Sequence, residues 1–267
     1  MCIRDRAWGA LAGLIVSTAT GYIFESKTDG DQGLWGFNGI LVGCAVFTFL
    51  DNTVWSWIAM IIGSALTVVA RRGLNNVFAP FKTTSYTFPF ILISWLILLS
   101  ARDMAHLTPA GESIASLPTE ITSGNLQYTF TDLVVYWLKG ISQVFLVNSW
   151  ITGIFFIVGL ALCSRWAAFW AMLSAAVALF MAIFFGASHP DITEGLYGFS
   201  PVLTGIAVGC TFYKPGLKSF FYSLSAVVFT VLVQFGMDIL LQPVGLATLT
   251  APFCIATWIF MLPMYKL

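Results

Sequence analysis

Apolar residues come in long runs along this chain, and polar residues come in short breaks between them. The runs cover residues 7–24, 34–50, 53–70, 86–104, 148–163, 165–187, 196–213, 218–241 and 249–265. A helix needs about 17–25 mostly apolar residues to cross a bilayer, so the pattern predicts a membrane helix at each run. The one long polar stretch, Leu107 to Gln127, is rich in Pro, Ser, Thr, Gly and Glu and reads as an extramembrane linker between two halves. Residues Phe130 to Val147 are apolar but carry Asp132, Lys139, Gly140, Ser142 and Gln143. That mixture predicts a short re-entrant helix, which survives at membrane depth only where protein or water surrounds it.

The two halves repeat each other. Gly33 to Gly43 reads GLWGFNGILVG, and 162 residues later Gly195 to Gly205 reads GLYGFSPVLTG. At the same offset Trp8 falls on Trp170, and at 163 the string Thr87-Phe88-Pro89-Phe90 falls on Thr250-Ala251-Pro252-Phe253. Three markers in one order define structural repeats. Counting the predicted spans between the copies gives an odd number, so the repeats run in opposite directions. The expected organisation is a first inverted repeat over 7–104, an extracytoplasmic linker over 105–129 and a second repeat over 130–267.

The repeat also predicts a gap. A re-entrant segment and one span precede Trp170, whereas seven residues precede Trp8. The first half is therefore expected to lack its re-entrant helix and first span, with MCIRDR as a non-native leader.

Composition agrees with a membrane protein: 58% of the 267 residues are hydrophobic, 9% are charged, and mean hydropathy is +0.88. An average soluble domain carries about 25% charged residues. Twelve basic and twelve acidic residues cancel, but their placement is uneven. Alternating the loops puts Lys27, Arg71, Arg72, Lys82, Arg165, Lys214, Lys218 and Lys266 on one side, against Arg4, Arg6, Arg102 and Lys139 on the other. The positive-inside rule makes the first side, with the C-terminus, cytoplasmic. Five cysteines form no C-x-x-C pair and imply neither disulfide nor metal.

Candidate chemistry lies in three places. In each T-x-P-F string, proline lacks an N–H, so the carbonyls of Ser85 and Thr248 are expected to lose their partners beside a threonine hydroxyl. A Thr-Pro kink explains one such string, and two symmetric copies favour a pore. In the doubled glycine motif, Phe37 and Leu41, like Phe199 and Leu203, share a helix face at i, i+4. Gly33, Gly36, Gly39 and Gly43 are expected to admit a neighbouring backbone. Gln143 and Asn148, in an apolar stretch, need either partners or a wet pathway. No H-E-x-x-H, G-x-S-x-G or phosphate-cradling loop occurs, and His106 and His189 fall in loops. Asp132, Lys139 and Asp238 are expected towards the outer ends of their helices, leaving mid-membrane depth without the charge that ion coupling needs. A neutral solute moving passively fits this pattern, and an intramembrane enzyme does not.

The pair GLWGFNGILVG and GLYGFSPVLTG, the T-x-P-F strings and QVFLVNSWITG resemble the urea transporter family over almost the whole chain, from Trp8 to about Met264. The resemblance implies an all-α polytopic membrane protein of two inverted repeats, with re-entrant half-helices lining a central pore in each protomer of a homotrimer. It implies a slot where planar urea lies between Phe and aliphatic side chains and meets a ladder of oxygens. The positions carried over are Phe37, Leu41 and Thr87, with Gln143, Val144, Leu146, Phe199, Leu203 and Thr250. Its implied partners are urea and the lipid bilayer, with no cofactor, no metal and no nucleic acid. Departures occur where Ser149 and Trp150 replace the family's Asn-Pro, Leu146 replaces Phe, Thr83-Thr84 replaces Leu-Pro, Ala247 replaces Pro and Ser200 replaces Asn. The resulting expectation is passive, channel-like urea transport in a bacterial inner membrane. Other small neutral solutes (an amide, water or ammonia) remain the alternative, as does a non-transporting fragment, the 267-residue form being expected to be inactive or misassembled.

Overall fold

A computed structural model describes residues 3–24, 27–110 and 128–266. Most of the expected linker, residues 111–127, lies outside the described residues. Twelve α-helices account for most of what is described: α1 (Ile3–Phe24), α2 (Lys27–Asp31), α3 (Gly36–Phe49), α4 (Val54–Phe78), α5 (Phe88–Ser100), α6 (Phe130–Ser142), α7 (Trp150–Cys163), α8 (Arg165–Phe184), α9 (His189–Glu194), α10 (Phe199–Ile206), α11 (Leu217–Leu241) and α12 (Ala251–Met261). Extended pairing among the described residues is limited to an isolated bridge between Leu50 and Pro109.

Two compact units are present. One holds residues 1–116 with 242–247, and the other holds 117–241 with 248–267. In the first, α1 packs along α3 and α4, and α5 closes against α3 and α4. Trp95 Nε1 donates to the Ala247 carbonyl at 2.9 Å and Arg102 to the Gly245 carbonyl at 2.9 Å, which ties the late segment into this unit. In the second, α8 packs on α10, α6 on α7, and α11 on α10 and α12.

The repeat seen in the sequence extends to every element of the first unit. Helix α1 starts 162 residues before α8 and α2 starts 162 before α9, while α4 matches α11 end for end at 163. Single turns of 3-10 helix follow both, at Ala79–Phe81 and Gln242–Val244, and α5 and α12 begin 163 apart at Phe88 and Ala251. The helical stretches still end 162 apart, at Phe49 and Thr211, so the extra residue lies in the connection to the next helix, 212–216 against 50–53. Past α10 the chain widens into a π-helical turn at Ala207–Thr211, closed by the Phe212 N–H on the Ala207 carbonyl at 2.9 Å.

Several expectations change at this level. Among the described residues, four helical stretches are long and apolar enough to span: Arg4–Phe24, Val54–Phe81, Arg165–Phe184 and Leu217–Val244. Helix α6 with its 3-10 turn and α7 form a pair bent by 71°. The expected spans at 34–50, 86–104, 196–213 and 249–265 hold shorter helices: α3 has 14 residues, α5 has 13 and α12 has 11, while the α10 stretch runs Phe199–Thr211. At 1.5 Å per residue even α3 rises only about 21 Å, short of the ~30 Å hydrocarbon core. The apolar runs are longer than the helices because tight turns and extended residues inside them are apolar too. Helix α1 begins at Ile3, so IRDR is helical. Helix α4 continues to Phe78, which carries Arg71 and Arg72 inside a helix rather than in a loop. Asp132 and Lys139 lie at opposite ends of α6, so they cannot both lie at an outer end. The marker tryptophans differ in surroundings: Trp8 is exposed, whereas Trp170 is buried against Gly205 and Gly209.

Candidate functional site: a doubled turn and its supports

The glycine motif builds the same turn twice. Gly33 (φ 71°) and Gly195 (φ 75°) are left-handed residues after the short helices α2 and α9. In both copies the glycine N–H returns to the carbonyl three residues back, and the next N–H, of Leu34 or Leu196, reaches five back to Asp29 or Asp191. Such closure satisfies the last carbonyls of a helix and needs positive φ, which glycine adopts without a Cβ penalty. This corrects the expectation that Gly33 admits a neighbouring backbone, since no heavy atom approaches the place of its Cβ. Gly39 and Gly43 do fill that role. A Cβ on Gly39 would meet the Gly13 carbonyl and Ser17 Oγ, and one on Gly43 the Gly9 backbone.

Phe37 and Leu41 lie on α3, Phe37 half-buried and Leu41 buried. On α10, Phe199 is buried and Leu203 half-buried. Each pair keeps its i, i+4 spacing within one helix.

The T-x-P-F strings also form matching turns. After each 3-10 turn comes a left-handed residue, Lys82 (φ 53°) or Gly245 (φ 54°), then an extended stretch. A second left-handed residue follows, Tyr86 (φ 49°) or Leu249 (φ 50°), and then Thr87 or Thr250 at the helix start. A non-glycine residue in this region costs about 1–2 kcal/mol, and such strain collects at ligand-holding sites. Thr250 is buried and Thr87 half-buried. The proline expectation needs correction here. Pro89 and Pro252 occupy the first turns of α5 and α12, where no i−4 bond exists to be lost. The Ser85 carbonyl accepts from Phe88 N–H at 3.0 Å and the Thr248 carbonyl from Ala251 N–H at 3.1 Å. Each keeps only its second lone pair.

Two supports were not singled out from sequence. Asn38, 1% exposed, accepts the Phe90 N–H on Oδ1 at 3.2 Å and so joins the glycine motif to the T-x-P-F turn. Asn75 accepts the Ser85 N–H at 2.8 Å. Its repeat mate is Asp238, which accepts from Gln234 Nε2 at 2.8 Å, while that nitrogen also meets Thr248 Oγ1 at 2.7 Å. A buried amide in an apolar run is a signal for such residues, because it must find a partner.

The bent pair α6–α7 carries the remaining candidates. Gln143 is buried and donates Nε2 to the Glu194 carbonyl at 2.9 Å, so it has a protein partner. Val144 and Leu146 are half-buried, with Leu146 left-handed (φ 57°) after the 3-10 turn Gln143–Phe145. Asn148 is exposed. Lys139 Nζ donates to the Thr193 carbonyl at 3.1 Å, and the Gly140 backbone lies against Gly195 and Gly198, so the bend packs on the second glycine turn.

Among the described residues no group of three or more His, Cys, Asp or Glu side chains could hold a metal ion. What the fold defines is an all-helical, multi-pass membrane protein whose repeated halves each carry a glycine-capped aromatic turn and a threonine-headed short helix. Residues 4–265 match the urea transporter family, and the chain belongs to that family. It is 27% identical to urea transporter 1 of Ovis aries and of Capra hircus, with 96% of this chain and 68% of each relative covered. Urea transporter 1 of Rattus norvegicus is 26% identical over the same shares. Membership places the chain among transporters rather than enzymes.

Proposed function

We propose that this protein carries urea passively across a membrane, along a narrow apolar path with a small set of oxygen acceptors. The observation that carries the reading is the doubled threonine-headed turn, at Thr87 and Thr250, in a chain of the urea transporter family. Urea is flat and uncharged, offers several N–H donors, and must give up water to enter a confined space. Phe37 with Leu41, and Phe199 with Leu203, supply flat and aliphatic walls, one pair from each repeat. Thr87 and Thr250 supply acceptors, helped by the second lone pairs of the Ser85 and Thr248 carbonyls. Gln143, Val144 and Leu146 serve one mouth. Replacement of hydration must be good enough to admit the solute and weak enough to release it. We assign the first repeat to 7–104, the linker to 105–129 and the second repeat to 130–267. A homotrimer, a bacterial inner membrane and a cytoplasmic C-terminus complete the proposal.

Stopped-flow light scattering on proteoliposomes tests it. Urea flux above empty vesicles, reduced by thiourea-like competitors, is the expected result. Flux equal to that of empty vesicles overturns the assignment, and flux of water or ammonia without urea assigns a different neutral solute.

A further inference from the structure

The two repeats solve one local problem with different charges. Behind the first glycine turn, the Arg71 guanidinium meets Asp29 at 3.3 Å and lies over the Trp35 ring at 5.0 Å. The Arg71 side chain is 10% exposed, so this cation is nearly removed from water. The repeat mates of these residues follow from the element match: Asp29 on Asp191, Trp35 on Tyr197, Arg71 on Gln234 and Asn75 on Asp238. The aromatic and the first carboxylate are kept, and Tyr197 Oη donates to Asp191 at 3.5 Å. The cation is not kept. A neutral amide stands in its place, and a second carboxylate replaces the asparagine.

The formal charge of this set therefore falls from zero in the first repeat (Arg71 with Asp29) to minus two in the second (Asp191 with Asp238). Gln234 Nε2 joins Asp238 to Thr248 in the same unit. Neither carboxylate forms an ion pair among the described residues. Lys139 Nζ bonds the Thr193 carbonyl, and the His189 ring bonds Tyr128 Oη at 3.2 Å. Both carboxylates are half-buried, and a charge drawn partly out of water gains from a partner of opposite sign.

A second observation is independent of the carboxylates. Gln234 is 2% exposed, its amide nitrogen holds Asp238 and Thr248, and its Oε1 has no hydrogen-bond partner. A buried amide oxygen without a donor is an unused ligand. Gln234 is also shorter than arginine and turns to Asp238, so the tethered cation of the first repeat has no counterpart at this position of the second.

We propose that the second repeat binds a small monovalent cation among Asp191, Asp238, Gln234 Oε1 and the Tyr197 ring, in the place that the Arg71 guanidinium takes in the first repeat. The ligand class is set by that comparison: one positive charge, oxygen or aromatic-face partners, and ammonium-like or guanidinium-like size. The bound ion completes the support of Thr248, two residues before Thr250, and is not itself transported. This inference does not depend on the identity of the solute.

The test is thermal unfolding of the purified full chain in detergent at neutral pH, in choline chloride with part of the choline replaced by sodium, ammonium or guanidinium at constant ionic strength. At least one of these cations should raise the midpoint by about 3 °C or more at saturation. Gln234→Arg should raise the baseline midpoint in choline and abolish the response, because it supplies the tethered cation. Asp238→Asn should also abolish the response, and a merely structural role for Asp238 would move the baseline without doing so. The proposal is overturned if wild type unfolds at one temperature in all four salts, or if Gln234→Arg keeps the full response. It is equally overturned if acidification in choline alone stabilises the protein while no cation does, since a proton then fills the site.

Discussion

Single residues divide here into those that set a backbone and those that offer an atom to the solute. On the proposed function, Thr87 and Thr250 belong to the second group. Replacing either by Val removes a hydroxyl at similar volume, and a hydrogen bond of this kind contributes about 1 kcal/mol, so urea flux should fall by about fivefold per site with assembly unchanged. Proteoliposome flux with size-exclusion profiles as control checks this, and normal flux in both variants removes the threonines from the site. Lys82 and Gly245 belong to the first group. They share one left-handed conformation, φ 53° and 54°, but only one is glycine. Lys82→Gly should therefore stabilise by about 1 kcal/mol, and Gly245→Ala should cost a similar amount. Thermal unfolding of both variants reads the two opposite signs.

Elements show what the pattern of residues could and could not tell. The repeat was legible from three short strings, because identical turns need identical residues at their strained points: Gly33 and Gly195 cap α2 and α9 with the same hydrogen bonds. Helix lengths were not legible, because the turn residues Tyr86, Thr87, Leu249 and Thr250 sit inside the apolar runs 86–104 and 249–265. Hydropathy reports the surroundings of a residue, and an apolar loop packed in protein gives the same signal as a span. The roles of the prolines were misread for a related reason. Sequence shows that a proline is present, but only the helix start shows that it lies in the first turn. The supports of the turns were hidden too, since Asn75 lies ten residues before the Ser85 N–H it accepts. If Asn75 positions the Thr87 turn, Asn75→Leu should lower urea flux and leave Ser85 N–H buried without a partner, a loss of about 1–3 kcal/mol. Asn75→Asp keeps an acceptor, copies the residue at position 238, and should retain most of the flux. Equal flux in Asn75→Leu and wild type would show that the turn holds itself.

At the scale of the whole molecule, orientation rests on where cations stand, and the structure changes that count. Eight cations on one side against four on the other gave a cytoplasmic C-terminus. Arg71 now leaves the first group, because it is buried in α4 and paired with Asp29, where it cannot report on a loop. Lys139 and Arg102 leave the second, because backbone carbonyls hold them, of Thr193 and of Gly245. Seven remain against two. The rule weighs Lys and Arg close to the ends of spans, and Lys214 and Lys218 flank the start of α11 while Lys266 follows α12. The bias therefore survives the correction, and the C-terminus is expected in the cytoplasm. A fluorescent protein fused after Leu267 should fluoresce in bacterial cells, because it matures only on the cytoplasmic side, while alkaline phosphatase fused there should be inactive. Active phosphatase with a dark fluorescent fusion would invert the orientation and, with it, the side of the mouth proposed at Gln143.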